Sequence, residues 1–304
     1  LRNKLLFWSC KMMYKCCNIK KILKIILCDA AIILIALIIT VTGKNHWIAF
    51  NNVEDDPIFV PIIMYHSIVD NPSRMSDYIV SPEIVENDLK YLKDNGYTSV
   101  SVEDIVNYVH YNKPLPEKPV VITADDGFYN NSYYLIPLLE KYDMNATVSV
   151  VGYYSEYISV NDPHVPEYSY LTWEDIKDMN KSGRIEFGNH TYNMHSNDNR
   201  KGCAKLSYET EEEYAEMFNN DIGLMQSLMK INTGITPVVF AYPFGYISKE
   251  SVPLLKNLGF SAALNCFEKP NYITHDESCL FELNRYNRSS KMSTEEFMTK
   301  LLEH

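Results

Sequence analysis

The chain has 304 residues, 46% of them hydrophobic, and 28 Lys and Arg against 39 Asp and Glu, a formal charge of −11; that is enough to bury one domain of about 250 residues. Seven of the cations precede Ile25 (Arg2, Lys4, Lys11, Lys15, Lys20, Lys21 and Lys24), and without them and Asp29 the remainder holds 21 basic against 38 acidic residues, a charge of −17. A domain of that sign repels phosphate backbones, which excludes nucleic acid as a partner.

The basic head runs into an apolar stretch over 25–41, uninterrupted from Ala30 to Val41. Counted from Ile22, with Lys24 snorkelling back to the interface, it reaches roughly 20 residues, enough to cross a bilayer. Basic residues before it and polar Gly43-Lys44-Asn45 after it give a cytoplasmic segment over 1–21 and a single-pass cell-membrane anchor over 22–43. The rest of the chain is then extracellular. A cleaved signal peptide is the alternative, although no A-x-A site follows the apolar run. Residues 44–57 read as a linker and 58–304 as the main domain, expected to be monomeric. Only Cys203, Cys266 and Cys279 fall in that domain, too widely spaced for a disulfide framework or a cysteine zinc site.

Beyond the linker, short apolar strands alternate with amphipathic helices. Strands are predicted over 59–65, 97–101, 120–124, 146–151, 185–187, 238–241 and 261–264. Helices are predicted over 82–95, after Ser101, over 133–142, 172–182, 209–230 and 248–258, and after Ser293. Strands separated by helices pair in parallel through crossover units, which points to an irregular (β/α) barrel. No G-x-G-x-x-G or G-x-x-x-x-G-K-[ST] follows a strand, so nucleotide binding has no support.

Parallel barrels place their chemistry at the C-terminal ends of the strands, and three such ends are unusual here. Thr123-Ala124-Asp125-Asp126-Gly127 sets adjacent carboxylates after a buried strand, where repulsion and desolvation call for a compensating positive charge; an ordinary acidic turn is the alternative. Gly188-Asn189-His190-Thr191-Tyr192-Asn193-Met194-His195 carries two histidines five apart. That spacing does not share a helix face, but a loop can fold both onto one ion. Phe240-Ala241-Tyr242-Pro243-Phe244-Gly245 is an aromatic turn.

Together and in this order, the three segments resemble the motifs of the NodB-homology polysaccharide deacetylases, carbohydrate esterase family 4. Met64-Tyr65-His66-Ser67-Ile68 also resembles the opening of the branch that deacetylates poly-N-acetylglucosamine. The resemblance spans residue 57 to the C-terminus. It implies a NodB-type barrel and a hydrolase that removes N-acetyl groups from a cell-envelope glycan, peptidoglycan or poly-N-acetylglucosamine. It implies that Asp126, His190 and His195 hold one divalent metal, zinc first, with cobalt, manganese or nickel as alternatives because mixed N/O ligands discriminate poorly. Asp125 is then the catalytic base, and a backbone N–H near Tyr242 stabilises the oxyanion. His66, Tyr192, Tyr242, Pro243 and Phe244 are the expected substrate contacts, with Tyr129 beside them.

The chain departs from the family pattern in two places. Ala241 stands where the third motif has the arginine that pairs with the catalytic Asp; Arg285, ahead of Arg288, is the expected replacement. The family's late general-acid histidine has no counterpart, since His275 lies in a polar stretch and His304 is terminal. These departures leave open a degenerate protein that binds metal and glycan without turnover; an O-acetyl polysaccharide esterase is a third reading.

Overall fold

Eight short strands, all parallel, form the central sheet: β1 (Ile62–Tyr65), β2 (Thr98–Ser99), β3 (Pro119–Ala124), β4 (Ala146–Val150), β5 (Ile185–Asn189), β6 (Val239–Ala241), β7 (Ala262–Leu264) and β8 (Tyr286–Asn287). Their order is β7-β6-β5-β4-β3-β1-β8, with β2 beside β3. The computed structural model describes residues 30, 32–35, 56–161 and 164–303. Residues 1–21, nearly all of the expected anchor over 22–43 and most of the linker over 44–57 lie outside them. No helix among the described residues is long and apolar enough to cross a membrane.

β3 shows why the strands pair this way. Its sequence Pro-Val-Val-Ile-Thr-Ala is rich in β-branched residues and buried throughout, as a strand covered on both faces must be. Its residues alternate between two cores. Val121 packs inward with Ile62, Val239, Phe240 and Ala262, while Val120, Ile122 and Ala124 pack outward with Ile63 and Tyr65 under the helices.

Five of the helices begin where a side chain satisfies a first-turn N–H group. Ser81 caps α1 (Pro82–Asp94), and capping boxes open α2 (Val102–Tyr111), α5 (Trp173–Lys181), α6 (Glu211–Thr233) and α8 (Thr294–Leu302). A π-helical turn (Asn131–Leu135) leads into α3 (Ile136–Tyr142), and α7 is Ser251–Asn257. The predicted series omits α4 (Gly152–Asn161) and β8. α4 is rich in Tyr and Ser and has no apolar stripe, so periodicity carries no signal for it. β8 is two residues long.

The sheet curls into a half-barrel. Leu283 bridges to Leu264 of β7, and three residues later Tyr286 pairs with Ile63 of β1. Residues 283–287 therefore run between the sheet's ends and carry Arg285 to the inner face.

Candidate metal centre and cleft

Strand parity decides which side chains meet at the C-terminal end of the sheet. Asp125 follows Val121 and Thr123 on the inner face, and His66 follows Ile62 and Met64 on that of the neighbouring strand; the Asp125 N–H donates to the Tyr65 carbonyl at 3.0 Å. Plain continuation of β3 would send Asp126 outward. Instead Asp126 and Gly127 both adopt φ +71°, a left-handed turn that Asp tolerates better than most residues. Gly127 is required there. A Cβ would sit 3.0 Å from a methyl of Val150, on top of the strain of its φ.

Asp126, His190 and His195 each offer one ligand atom, all within 4.8 Å of one another. His190 and His195 Nε2 lie 3.5 and 3.1 Å from Asp126 Oδ1. Ligands about 2.1 Å from an ion and about 90–110° apart stand roughly 3.0–3.4 Å from each other, so the spacing suits a shared cation. The donor chemistry agrees. His190 Nδ1 lies 2.8 Å from the Ala241 carbonyl, which can only accept, so Nδ1 carries the proton and Nε2 presents its lone pair. Asp126 Oδ1 is buried without a hydrogen-bond partner. Lone pairs facing a buried, orphaned carboxylate oxygen require a positive charge among them. Burial by itself would raise the Asp126 pKa; only positive charge at this spot, from protonated His190, His195 and His66 or from an ion in their place, holds the carboxyl below its usual range.

Asp125 has a different partner. Arg285 Nη1 and Nη2 donate to its two oxygens at 2.8 and 2.7 Å, Nη1 reaches Thr123 Oγ1 at 3.3 Å, and Nε donates to the Asn265 carbonyl at 2.8 Å. Both residues are almost fully buried. Burial pushes the Asp125 carboxyl up, and the charge of Arg285, joined by that of His190 when its ring is protonated, more than reverses that, leaving it below the ordinary value. Arg288 lies on the opposite face. It donates to Asp88 of α1 through Nε at 2.7 Å and Nη2 at 3.1 Å, and its guanidinium sits over Phe297. Ala241, at the position of the family's arginine, contributes its carbonyl to His190.

A cleft of about 920 Å³ opens over these groups; Met64, His66, Tyr78, Phe244, Tyr246 and Glu268 are among the residues lining it. The expected substrate contacts divide. His66 and the half-exposed Phe244, whose ring lies 4.7 Å from that of His195, face the cleft. Tyr242 borders it but has no free polar group: its hydroxyl is 2.7 Å from Ser251 Oγ and its N–H donates to the Leu264 carbonyl at 2.9 Å. That sheet bond also removes the Tyr242 N–H as an oxyanion donor. The turn's own hydrogen bonds use the Gly245 and Tyr246 N–H groups, and neither uses that of Phe244. Pro243, Tyr192 and Tyr129 are not among the cleft-lining residues. Pro243 is buried, Tyr192 turns its hydroxyl to Glu156, and Tyr129 packs against Tyr133 and His164. Motif adjacency missed these outcomes because neighbours in a tight turn point in different directions. His275 is also remote, stacked on Tyr108 of α2. Tyr78 and Tyr246, by contrast, carry no sequence signal.

A family model described as polysaccharide deacetylase matches residues 112–263. The chain is 26% identical over 217 residues to a poly-β-1,6-N-acetyl-D-glucosamine N-deacetylase of Escherichia coli (strain K12), covering 65% of this chain and 32% of that one. It thus spans about a third of that relative's length. It is 25% identical over 201 residues to the enzyme of the same name from Staphylococcus aureus (strain MRSA252), covering 64% of each. A de-N-acetylase from Aggregatibacter actinomycetemcomitans superposes with a TM-score of 0.68 at 22% identity, over 80% of this chain and all of that one, and shares the fold.

Proposed function

Because the chain belongs to the polysaccharide deacetylase family, we propose that it hydrolyses the N-acetyl groups of N-acetylglucosamine residues in a cell-envelope glycan and releases acetate. One observation carries this reading. A carboxylate paired with Arg285 lies beside a separate Asp126–His190–His195 face suited to a divalent ion, on one cleft floor. Such an ion, zinc first, supplies Lewis-acid polarisation and acidifies water. Asp125, kept ionised by Arg285, accepts the proton of the water attacking the acetamide carbonyl. The Phe244 N–H is assigned to the developing oxyanion. His66, facing the cleft from the next strand end, is assigned the proton that the departing amine takes up as the C–N bond breaks.

The names of the Escherichia coli and Staphylococcus aureus relatives favour poly-β-1,6-N-acetylglucosamine over peptidoglycan as the polymer. An N-terminal anchor that leaves the domain outside the membrane suits either. The binding-only reading rested on a missing arginine and a missing acid. Arg285 against Asp125 and His66 in the cleft weaken both grounds.

The test is acetate release by the zinc-loaded protein from β-1,6-linked N-acetylglucosamine oligomers and from peptidoglycan fragments. Asp125→Asn should keep its zinc and lose turnover by about 10²–10⁴. Zinc and glycan binding without acetate from either substrate would support the binding module. Release from O-acetylated glycan alone would support the esterase.

A further inference from the structure

The loop from His190 to His195 is pinned from one side, by the middle of α6. The Tyr192 N–H donates to Asp221 Oδ1 at 2.8 Å and the Asn193 N–H to Asp221 Oδ2 at 2.9 Å. The Thr191 N–H donates to Asn189 Oδ1 at 2.8 Å, and the Met194 N–H to Thr191 Oγ1 at 3.1 Å. The side-chain nitrogen of Asn189 reaches the Ile222 carbonyl, one residue beyond Asp221, at 3.3 Å. On the far side, the N–H groups of Gly152 and Tyr153 at the start of α4 bind the carbonyls of Thr191 and Tyr192.

Two successive N–H groups thus depend on one carboxylate, and charge-assisted bonds of this kind are among the stronger ones. The loop needs them. Thr191 is β-branched yet adopts φ +74°, a conformation that costs roughly 1–3 kcal/mol and persists only where its surroundings over-determine it. Straightening Thr191 would carry His195 away from Asp126, with which it now makes its 3.1 Å contact.

We infer that Asp221 is a positioning residue for the metal centre: by holding the Tyr192 and Asn193 amides it fixes the loop that presents His195. The inference rests on the metal-binding reading of Asp126, His190 and His195. Asp221 touches neither metal ligands nor cleft. Its effect therefore runs through His195 alone.

The test measures zinc affinity by chelator competition, and cobalt(II) absorption, for the native chain and five variants: Asp221→Ala, Asp221→Asn, His190→Ala, His195→Ala and Asp221→Ala combined with His195→Ala. Asp221→Ala should weaken zinc binding by about 10–100-fold, the range for groups that orient metal ligands. Asp221→Asn keeps one acceptor, should lose less, and covers the case in which the alanine variant does not fold. The cobalt spectrum of Asp221→Ala should approach that of His195→Ala. In the His195→Ala background the Asp221 substitution should cost no further affinity, because coupled residues are not additive. A merely structural role would lower thermal stability while leaving zinc affinity and the cobalt spectrum unchanged, and that result overturns the inference. So does a loss that persists undiminished without His195. If the native chain and His190→Ala bind zinc equally, the metal reading itself fails, which is a separate outcome.

Discussion

Arg285 grips both carboxylate oxygens of Asp125, at 2.8 and 2.7 Å, across 160 residues of chain. Every polar atom of this fork is committed inside the half-barrel, where a charge without its partner is costly. The pair stabilises the fold and sets the protonation of the proposed base at once.

Arg285→Ala should therefore have two effects. Leaving Asp125 buried and unpaired should cost about 3–5 kcal/mol of stability. Losing the strongest lowering influence also hands control to burial, so the Asp125 pKa rises and the acid limb of the kcat/KM profile moves to higher pH. The native carboxyl has its pKa below the unfolded value, so its stabilising contribution is complete above pH about 4 and fades as pH falls through the lower native value. Arg285→Lys keeps the charge but loses the fork, and should fall between the two. An acid limb that stays in place would disconnect Arg285 from the base.

His66→Ala should bind zinc like the native chain and turn over more slowly, by about 10²–10⁴, as expected for loss of a general acid. Burial lowers the His66 pKa, although Asp126 and Asp125 pull it upward. A pH–rate profile of the variant's residual activity should lack the alkaline limb that loss of this proton produces. Full activity in His66→Ala would remove the assignment.

Arg288 and Asp88 form the counterpart pair on the outer face, where Asp88 also accepts from the Tyr65 hydroxyl at 2.8 Å and from Thr294 Oγ1 at 2.7 Å. Asp88→Ala should lower Tm by roughly 10 °C, from about 3–5 kcal/mol of lost pairing in a domain of this size. Calorimetry of the zinc-free protein would measure it. Zinc affinity should be unchanged, because none of these side chains reaches the cleft's metal face.

Much of the domain was legible along the chain, because its signals are local. The caps at Ser81, Ser101, Thr172, Thr210 and Ser293 are satisfied within three residues, so a short stretch of sequence contains the whole interaction. The Asp125-Asp126-Gly127 and His190-to-His195 segments stand out because closely spaced acids and imidazoles at strand ends are costly without a compensating charge. The choice between Arg285 and Arg288 depended on strand parity in β8, a strand too short to announce itself. Three residues apart, the two guanidiniums had to face opposite sides. Tyr192 looks like a cleft residue in the sequence and is not, and Tyr242 borders the cleft with its hydroxyl turned to Ser251, because a turn's side-chain directions follow from φ and ψ. Asp221 was invisible for the most general reason. An acidic residue within a helix reads as solvated surface, and only the packing of α6 against the histidine loop turns it into an acceptor for two successive loop amides. Sequence thus marked the candidate residues for the proposed chemistry and the caps at which five of the helices begin. Tertiary structure decided which charges meet, since partners 160 and 200 residues apart are selected by sheet curl and parity.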